Sequence, residues 1–104
     1  MSERIPGFDE ATDTRGTTKL QEPKMYKVLM HNDDYTTMEF VIDTLETLFH
    51  KNAAQAAQIM LAVHEKGLGL CGVYTHEVAE TKIAIVHERA QQNEFPLQCS
   101  MEEE

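Results

Sequence analysis

The feature that most constrains the fold is an abrupt change of hydrophobic period after the first apolar run. Residues 25–30 form a short apolar segment that predicts a strand. Over residues 37–50 the large apolar residues recur at helical spacing, which predicts an amphipathic helix. Between these segments stand Asn32, Asp33 and Asp34, whose short polar side chains bond nearby backbone and favour a turn. The chain therefore turns a corner from a strand into a helix.

This corner brings carboxylates and an amide to the edge of an apolar helix face. Thr36 followed by Glu39 matches a capping box, in which the two residues satisfy free backbone N–H groups at a helix start. Such a corner would suit a ligand that is part cation and part hydrophobe. A well-capped turn explains the same residues more simply, so spacing alone leaves both interpretations open.

The rest of the chain predicts further helices and strands. Asn52 with Gln55 matches a second capping box, Gly67 suits a helix end, and Thr75 suits a helix start. The remaining elements are a helix over residues 53–66, a strand over residues 68–74 with tight packing at its glycines, a helix over residues 76–93 and a strand over residues 97–101. The order strand-helix-helix-strand-helix-strand predicts a small α+β domain, in which helices pack on one face of a three-stranded antiparallel sheet.

Length and composition predict one domain with a tail. A chain of 104 residues with 41% hydrophobic residues is able to bury a modest core. Residues 1–23 carry glycine, proline, threonine and scattered charges, and their Ile5, Phe8 and Leu20 show no periodicity. We therefore expect a flexible N-terminal extension over residues 1–23 and a core domain over residues 24–104.

The charge of the chain argues against some classes of partner. The formal net charge is −9 and the basic residues form no cluster, which disfavours binding to nucleic acid or to an anionic membrane through charge. No run is long and apolar enough to span a bilayer, and residues 1–22 lack the apolar segment of a signal peptide. We expect a cytoplasmic protein with buried, reduced Cys71 and Cys99, whose separation in space the sequence does not give.

The residues show no pattern typical of a catalytic site. Cys99–Ser100 have no recognisable nucleophile loop around them. The Gly-x-Gly-x-x-Gly match over Gly67–Gly72 runs into a strand and not into a helix, so it lacks the context of a phosphate loop. A metal site of His31, Asp34 and His64 would depend on folding alone, and a small metal-dependent enzyme built on these residues is the alternative function.

Several segments, taken in order, resemble one protein family. They are Tyr26–Ile42 (YKVLMHNDDYTTMEFVI), Ile59–His64 (IMLAVH), Cys71–Tyr74 (CGVY), Glu77–Lys82 (EVAETK) and Phe95–Cys99 (FPLQC). Together they resemble ClpS, the bacterial adaptor of the N-end rule that serves the ClpA–ClpP protease. The resemblance covers about residues 24–101 and agrees with the α+β fold predicted above.

The resemblance implies an adaptor that has no catalytic activity and needs no cofactor. It implies binding of substrates whose first residue is Leu, Phe, Tyr or Trp, and their delivery to the ClpA unfoldase for degradation by ClpP. The free α-amino group would be held at Asn32, Asp34 and His64. An ammonium group carries N–H donors and a positive charge, so acceptor atoms and a carboxylate complement it.

The resemblance also implies a pocket for the first side chain and a docking surface for the unfoldase. Met38 would be a gate that excludes β-branched first residues, since a flexible thioether closes around flat or branched ends. Glu77 and Lys82 would belong to the docking surface, and the N-terminal extension would be offered to the unfoldase pore. The implied pocket residues are Met30, His31, Thr36, Met38, Val41, Met60, Val63 and Leu97.

Two positions within the segments quoted above differ from the family pattern. His31 stands where relatives usually carry an aliphatic residue, which puts a titratable ring into the implied pocket wall. Thr37 stands where many relatives carry proline, and loss of proline from a first helical turn loosens the helix start slightly.

Overall fold

A computed structural model describes residues 22–104, which form one antiparallel sheet and three helices. The elements in chain order are β1 (Met25–His31), α1 (Met38–Thr47), α2 (Ala53–Lys66), β2 (Leu68–Thr75), α3 (His76–Gln92) and β3 (Gln98–Glu103). The strand order is β2-β1-β3, so the first strand lies in the middle. The predicted α+β class and element order are confirmed. The predicted extension over residues 1–23 lies outside the described residues, except for its last two positions.

α1 is shorter than its apolar pattern predicted, mainly at its C-terminal end. The helix begins at Met38, with Thr37 as N-cap, and it ends at Thr47. His50 has a φ of 57°, in the left-handed region, so the backbone turns away there before α2 begins. Leu48 and Phe49 follow the helix but are still buried in the core. The apolar pattern of the sequence therefore extends beyond the helix itself.

The predicted capping box of Thr36 and Glu39 is wrong. Thr37 is the N-cap, and its Oγ1 accepts a hydrogen bond from the Phe40 N–H at 3.2 Å. The Thr36 hydroxyl instead donates a hydrogen bond to Asp33 Oδ2 at 2.7 Å. Both threonines are able to cap a helix, and the neighbouring carboxylate decides between them.

The predicted boundaries of α2 are confirmed. Asn52 Oδ1 accepts from the Gln55 N–H at 2.8 Å, and Gln55 Oε1 accepts from the Asn52 N–H at 3.1 Å, which is a complete capping box. Gly67 ends the helix with a φ of 83°, which favours glycine because it has no Cβ. At the start of α3, Thr75 occupies the N-cap position without a side-chain capping bond.

The third strand extends into the acidic end of the chain. β3 starts at Gln98 and not at residue 97, and it continues to Glu103. Glu102 pairs with Lys27 and Glu103 with Tyr26 across the sheet. The Lys27 ammonium lies 3.6 Å from the Glu102 carboxylate, so part of the terminal acidic charge is opposed by β1. Exposed pairs of this kind contribute little, but they favour this register.

The three helices cover one face of the sheet. Strand residues alternate between the two faces, so that one set is buried and the other faces outward. The buried strand residues are Val28, Met30, Gly69, Cys71 and Cys99, and exposed residues of the outer face include Leu68, Leu70, Gln98 and Ser100. Each helix adds buried apolar residues to the same core, for example Leu45, Val63 and Val86. Among residues 22–104, no helix has the length and apolar character needed to cross a membrane.

Both thiols lie in this core. Cys71 is the extra residue of a β-bulge, because Val28 pairs with Gly72 while Leu29 pairs with Leu70. A hydrogen bond with Cys99, together with burial, raises the pKa of the Cys71 thiol. The prediction that both cysteines are buried is confirmed, and the structure adds that they are neighbours.

One buried hydroxyl should lower the stability of the fold. Thr44 of α1 is fully buried, and its Oγ1 has no hydrogen-bond partner within residues 22–104. Thr44→Val keeps the shape and removes this unsatisfied group, so the free energy of unfolding should rise by about 1 kcal/mol. Urea denaturation measures the change.

Thr47→Val is the matched control on the same helix. The Thr47 hydroxyl donates to the Asp43 carbonyl at 2.8 Å and accepts from the Arg89 guanidinium at 2.8 Å. Its removal should lower the free energy of unfolding or leave it unchanged, since the site is exposed. A lower stability of Thr44→Val would show that the buried hydroxyl is satisfied in solution.

Candidate functional site

A cavity of about 380 Å³ opens between the corner that follows β1 and the last turns of α2. Its lining combines polar residues of the corner with apolar residues of α1 and α2. The residues that line it are Asn32, Asp33, Asp34, Thr36, Thr37, Met38, Val41, Met60, Val63 and His64. The cavity therefore places acceptor groups beside an apolar wall, as in the binding interpretation of the corner.

Asp33 shapes the loop on the polar side of the cavity. Its Oδ1 accepts from the backbone N–H groups of Tyr35 at 2.8 Å and Thr36 at 2.7 Å, while Oδ2 accepts from the Thr36 hydroxyl at 2.7 Å. Burial raises the pKa of Asp33, but these hydrogen bonds outweigh that effect, so that the pKa lies below its ordinary value. The carboxylate of Asp33 is thereby committed to the turn.

Asp34 differs from its neighbour because its carboxylate forms no hydrogen bond within residues 22–104. Its side chain is exposed at the cavity, next to the exposed amide of Asn32. His64 lies in the last turn of α2 and is also exposed. A carboxylate, an amide oxygen and an imidazole nitrogen can together accept the N–H donors of an ammonium group.

A backbone hydrogen bond holds the two sides of the cavity together. The Asn32 N–H donates to the Gly67 carbonyl oxygen at 3.1 Å. The Gly67 N–H in turn donates to the Val63 carbonyl at 3.0 Å, within the end of α2. Since His64 belongs to the same helical turn, this bond fixes Asn32 and His64 in one region although they are distant in sequence.

Most residues that the sequence assigned to binding line this cavity. The predicted amino-group residues Asn32, Asp34 and His64 all line it. Of the predicted side-chain pocket, the lining residues are Thr36, Met38, Val41, Met60 and Val63. Met38 is 60% exposed at the first position of α1, where a flexible side chain is free to cover the opening.

Three predicted pocket residues do not line the cavity. Met30 and Leu97 are buried in the core, with 0% and 2% of their surfaces exposed. His31 follows Met30 in the strand, so its side chain points to the opposite face of the sheet. There its Nε2 lies 2.6 Å from Ser100 Oγ. The titratable ring at residue 31 is therefore outside the cavity wall.

The geometry does not assemble the alternative metal site. His31 faces Ser100, while Asp34 and His64 line the cavity. Within residues 22–104, no three His, Cys, Asp or Glu side chains are arranged so that they could hold a metal ion.

The predicted docking residues lie on a separate groove of about 330 Å³ beside α3. Glu77 is exposed in the first turn of α3. Lys82 donates a hydrogen bond to the Leu48 carbonyl at 2.8 Å, and its ammonium lies 5.2 Å from the centre of the Tyr74 ring. Lys82 thus satisfies a free carbonyl at the end of α1 and contacts an aromatic face, so it has a structural role in any case.

Asp33 and Thr37 line the cavity although neither was among the predicted amino-group or pocket residues. A signal for Asp33 was present, because aspartate commonly bonds to backbone N–H groups two and three residues further on. No local pattern showed that the loop it shapes would face α2.

Asp33→Asn tests this loop through the pH dependence of stability. Because the pKa of Asp33 is lowered on folding, its carboxylate stabilises the fold above the ordinary pKa of 3.8, and this contribution is lost as pH falls through the lower folded value. Wild-type melting temperature should fall from about pH 4.5 to about pH 2.5, whereas Asp33→Asn should start lower and fall less. Thermal melts followed by circular dichroism measure both.

Asp43→Asn, at an exposed position of α1, controls for the loss of one surface charge. This control should follow the wild-type curve. The same fall in Asp33→Asn as in the wild type would contradict the assigned role of the Asp33 carboxylate.

Comparisons with known proteins agree with the fold. Residues 21–100 match the family described as ATP-dependent Clp protease adaptor protein ClpS. The ClpS adapter protein of Desulfotalea psychrophila is 60% identical over 104 residues, which is 100% of both chains. That of Syntrophus aciditrophicus is 58% identical over 99 residues, which is 95% of this chain and 92% of the relative.

A solved structure adds a ligand-bound relative. Agrobacterium tumefaciens ClpS2 bound to L-phenylalaninamide matches with a TM-score of 0.77 and 34% identity, over 80% of this chain and 100% of that chain. Sequence and fold thus lead to the same group of proteins. The chain belongs to the ClpS family of ATP-dependent Clp protease adaptors.

Proposed function

We propose that this chain is a non-catalytic adaptor that binds the free first residue of substrate proteins when that residue is Leu, Phe, Tyr or Trp. It delivers these substrates in the cytoplasm to the ClpA unfoldase, for degradation by ClpP. The observation that carries the proposal is a single cavity in which Asn32, Asp34 and His64 lie beside an apolar wall.

The polar side of the cavity complements an α-ammonium group. Asp34 supplies negative charge, while Asn32 supplies an amide oxygen and neutral His64 a ring nitrogen. Asp33 is held by the loop, so Asp34 is the carboxylate that faces the ligand. L-phenylalaninamide, the ligand of the related ClpS2 structure, carries a free amino group, an aromatic side chain and an amide in place of the next peptide bond.

The apolar side of the cavity complements the first side chain. Val41 of α1 and Met60 and Val63 of α2 form its wall. Met38 stands at the opening as the gate, and its thioether closes against a side chain that is flat or branched beyond Cβ. A β-branched residue would bring a methyl group against this gate near the ammonium site, so Ile and Val are excluded.

Delivery uses other surfaces. The groove with Glu77 and Lys82 docks the unfoldase, and the extension over residues 1–23 is offered to its pore. The test is degradation of a Phe-initiated substrate by ClpA–ClpP, which should be faster with this chain than without it. An equal rate would remove the delivery step from the proposal.

The charge of Asp34 should be essential for binding. Asp34→Asn keeps the shape and an acceptor oxygen but removes the charge that faces the ammonium group. A hydrogen bond to a charged group is worth about 2 kcal/mol, so affinity for a Phe-initiated peptide should fall roughly thirtyfold. Calorimetric titration measures the affinity, and thermal melts check the fold.

Glu39→Gln is the matched control, since Glu39 is an exposed acid of α1 that does not line the cavity. It should keep the affinity within about twofold, because a screened surface charge acts weakly. Equal affinities of Asp34→Asn and Glu39→Gln would remove Asp34 from the site.

Shortening the gate should widen the choice of first residue. Met38→Ala removes the side chain that covers the opening, so peptides that begin with Ile or Val should gain affinity relative to those that begin with Leu. Fluorescence anisotropy with a panel of peptides measures these ratios. Leu61→Ala is the control, because Leu61 is exposed on α2 and does not line the cavity. Unchanged ratios in Met38→Ala would show that Met38 is no gate.

A further inference from the structure

Gly69 of β2 lies in unusually close contact with α2. A Cβ placed on Gly69 would lie 2.6 Å from Val63 Cγ2 and 3.0 Å from the Ile59 carbonyl oxygen. Carbon atoms at their best separation are about 3.5–4.0 Å apart, so such a Cβ would overlap the Val63 methyl group. The φ of Gly69 is not in the left-handed region, which Gly67 alone of the chain's described glycines adopts. Close approach, and not backbone conformation, is therefore what glycine provides at this position.

The atom that occupies this space belongs to the cavity wall. Val63 is 5% exposed and lines the cavity, so one side of it contacts Gly69 and the other faces the site. We propose that Gly69 is a residue that determines specificity for the first side chain of the substrate. The space left by its missing side chain lets Val63 pack closer to β2, and this makes the cavity deeper. This inference rests on the proposed function, since the depth concerns the first side chain of the substrate.

Backbone contacts hold the end of α2 in its position beside β2. The Asn32 N–H holds the Gly67 carbonyl at 3.1 Å, and Gly67 is two residues before Gly69. Ile59, one turn before Val63, presents its backbone carbonyl to the same spot. A methyl group at Gly69 is therefore accommodated mainly by the Val63 side chain, which moves toward the cavity. The cavity then becomes shallower, and a large first side chain loses more than a small one.

Gly72 offers a matched control on the same strand. A Cβ there would lie 2.5 Å from the Tyr74 hydroxyl oxygen, so Gly72→Ala also strains β2. Neither Gly72 nor Tyr74 lines the cavity. This variant reports the effect of a disturbed strand without a change in cavity depth.

The experiment compares peptides that begin with Leu, Phe or Trp. Gly69→Ala should weaken the Trp and Phe peptides at least about fivefold more than the Leu peptide. Gly69→Ala combined with Val63→Ala should restore the wild-type ratio, because the second change returns the lost space. Gly72→Ala should keep the wild-type ratio. Fluorescence anisotropy gives the affinities, and melting temperatures check the fold of each variant.

If Gly69→Ala does not fold, Val63→Ala alone tests the same effect of cavity depth. This change deepens the cavity without strain, so affinity for the Trp peptide should rise relative to affinity for the Leu peptide. An equal loss for all peptides in Gly69→Ala, or an unchanged Trp-to-Leu ratio in Val63→Ala, would overturn the role of Gly69. A wild-type chain that binds none of the peptides would instead overturn the proposed function.

Discussion

The two sides of the cavity are connected by a backbone hydrogen bond, from the Asn32 N–H to the Gly67 carbonyl oxygen at 3.1 Å. It joins the corner after β1 to the end of α2, and these two segments supply the polar residues and part of the apolar wall. The left-handed φ of Gly67 ends the helix at this point. The residue that ends α2 therefore also binds the corner that carries the polar residues of the cavity. A change at the end of α2 alters the distance between His64 and Asn32 even when neither residue is replaced.

The two adjacent aspartates show how local bonding separates structure from binding. Asp33 accepts three hydrogen bonds from its own loop, whereas the Asp34 carboxylate accepts none of them. The loop is thus formed before a ligand arrives, and binding need not order it, which lowers the entropic cost of association. The same arrangement determines which carboxylate faces a cation, although the two residues look equivalent in sequence.

Short-range signals predicted much of the fold, because caps and hydrophobic periods are properties of a few neighbouring residues. The capping box at Asn52 and the helix end at Gly67 are examples. The N-cap of α1 was predicted wrongly because Thr36 and Thr37 are both able to cap a helix. The Asp33 carboxylate binds the Thr36 hydroxyl, which leaves Thr37 as the N-cap. Met30 and His31 were both assigned to the pocket, but neither lines the cavity, since Met30 is buried in the core and the adjacent His31 faces the opposite side of the sheet. Glycines in β2 predicted tight packing, but not that the contact would reach a cavity residue.

We propose that the cavity recognises a free amino group together with the side chain beside it. The most direct test is a calorimetric titration with a Phe-initiated peptide and with the same peptide acetylated at its N-terminus. Acetylation removes the charge and leaves the side chain unchanged, so we expect tight binding of the free peptide and a loss of at least about a hundredfold on acetylation. Equal affinity for the two peptides would contradict it, because the polar side of the cavity would then have no part in recognition.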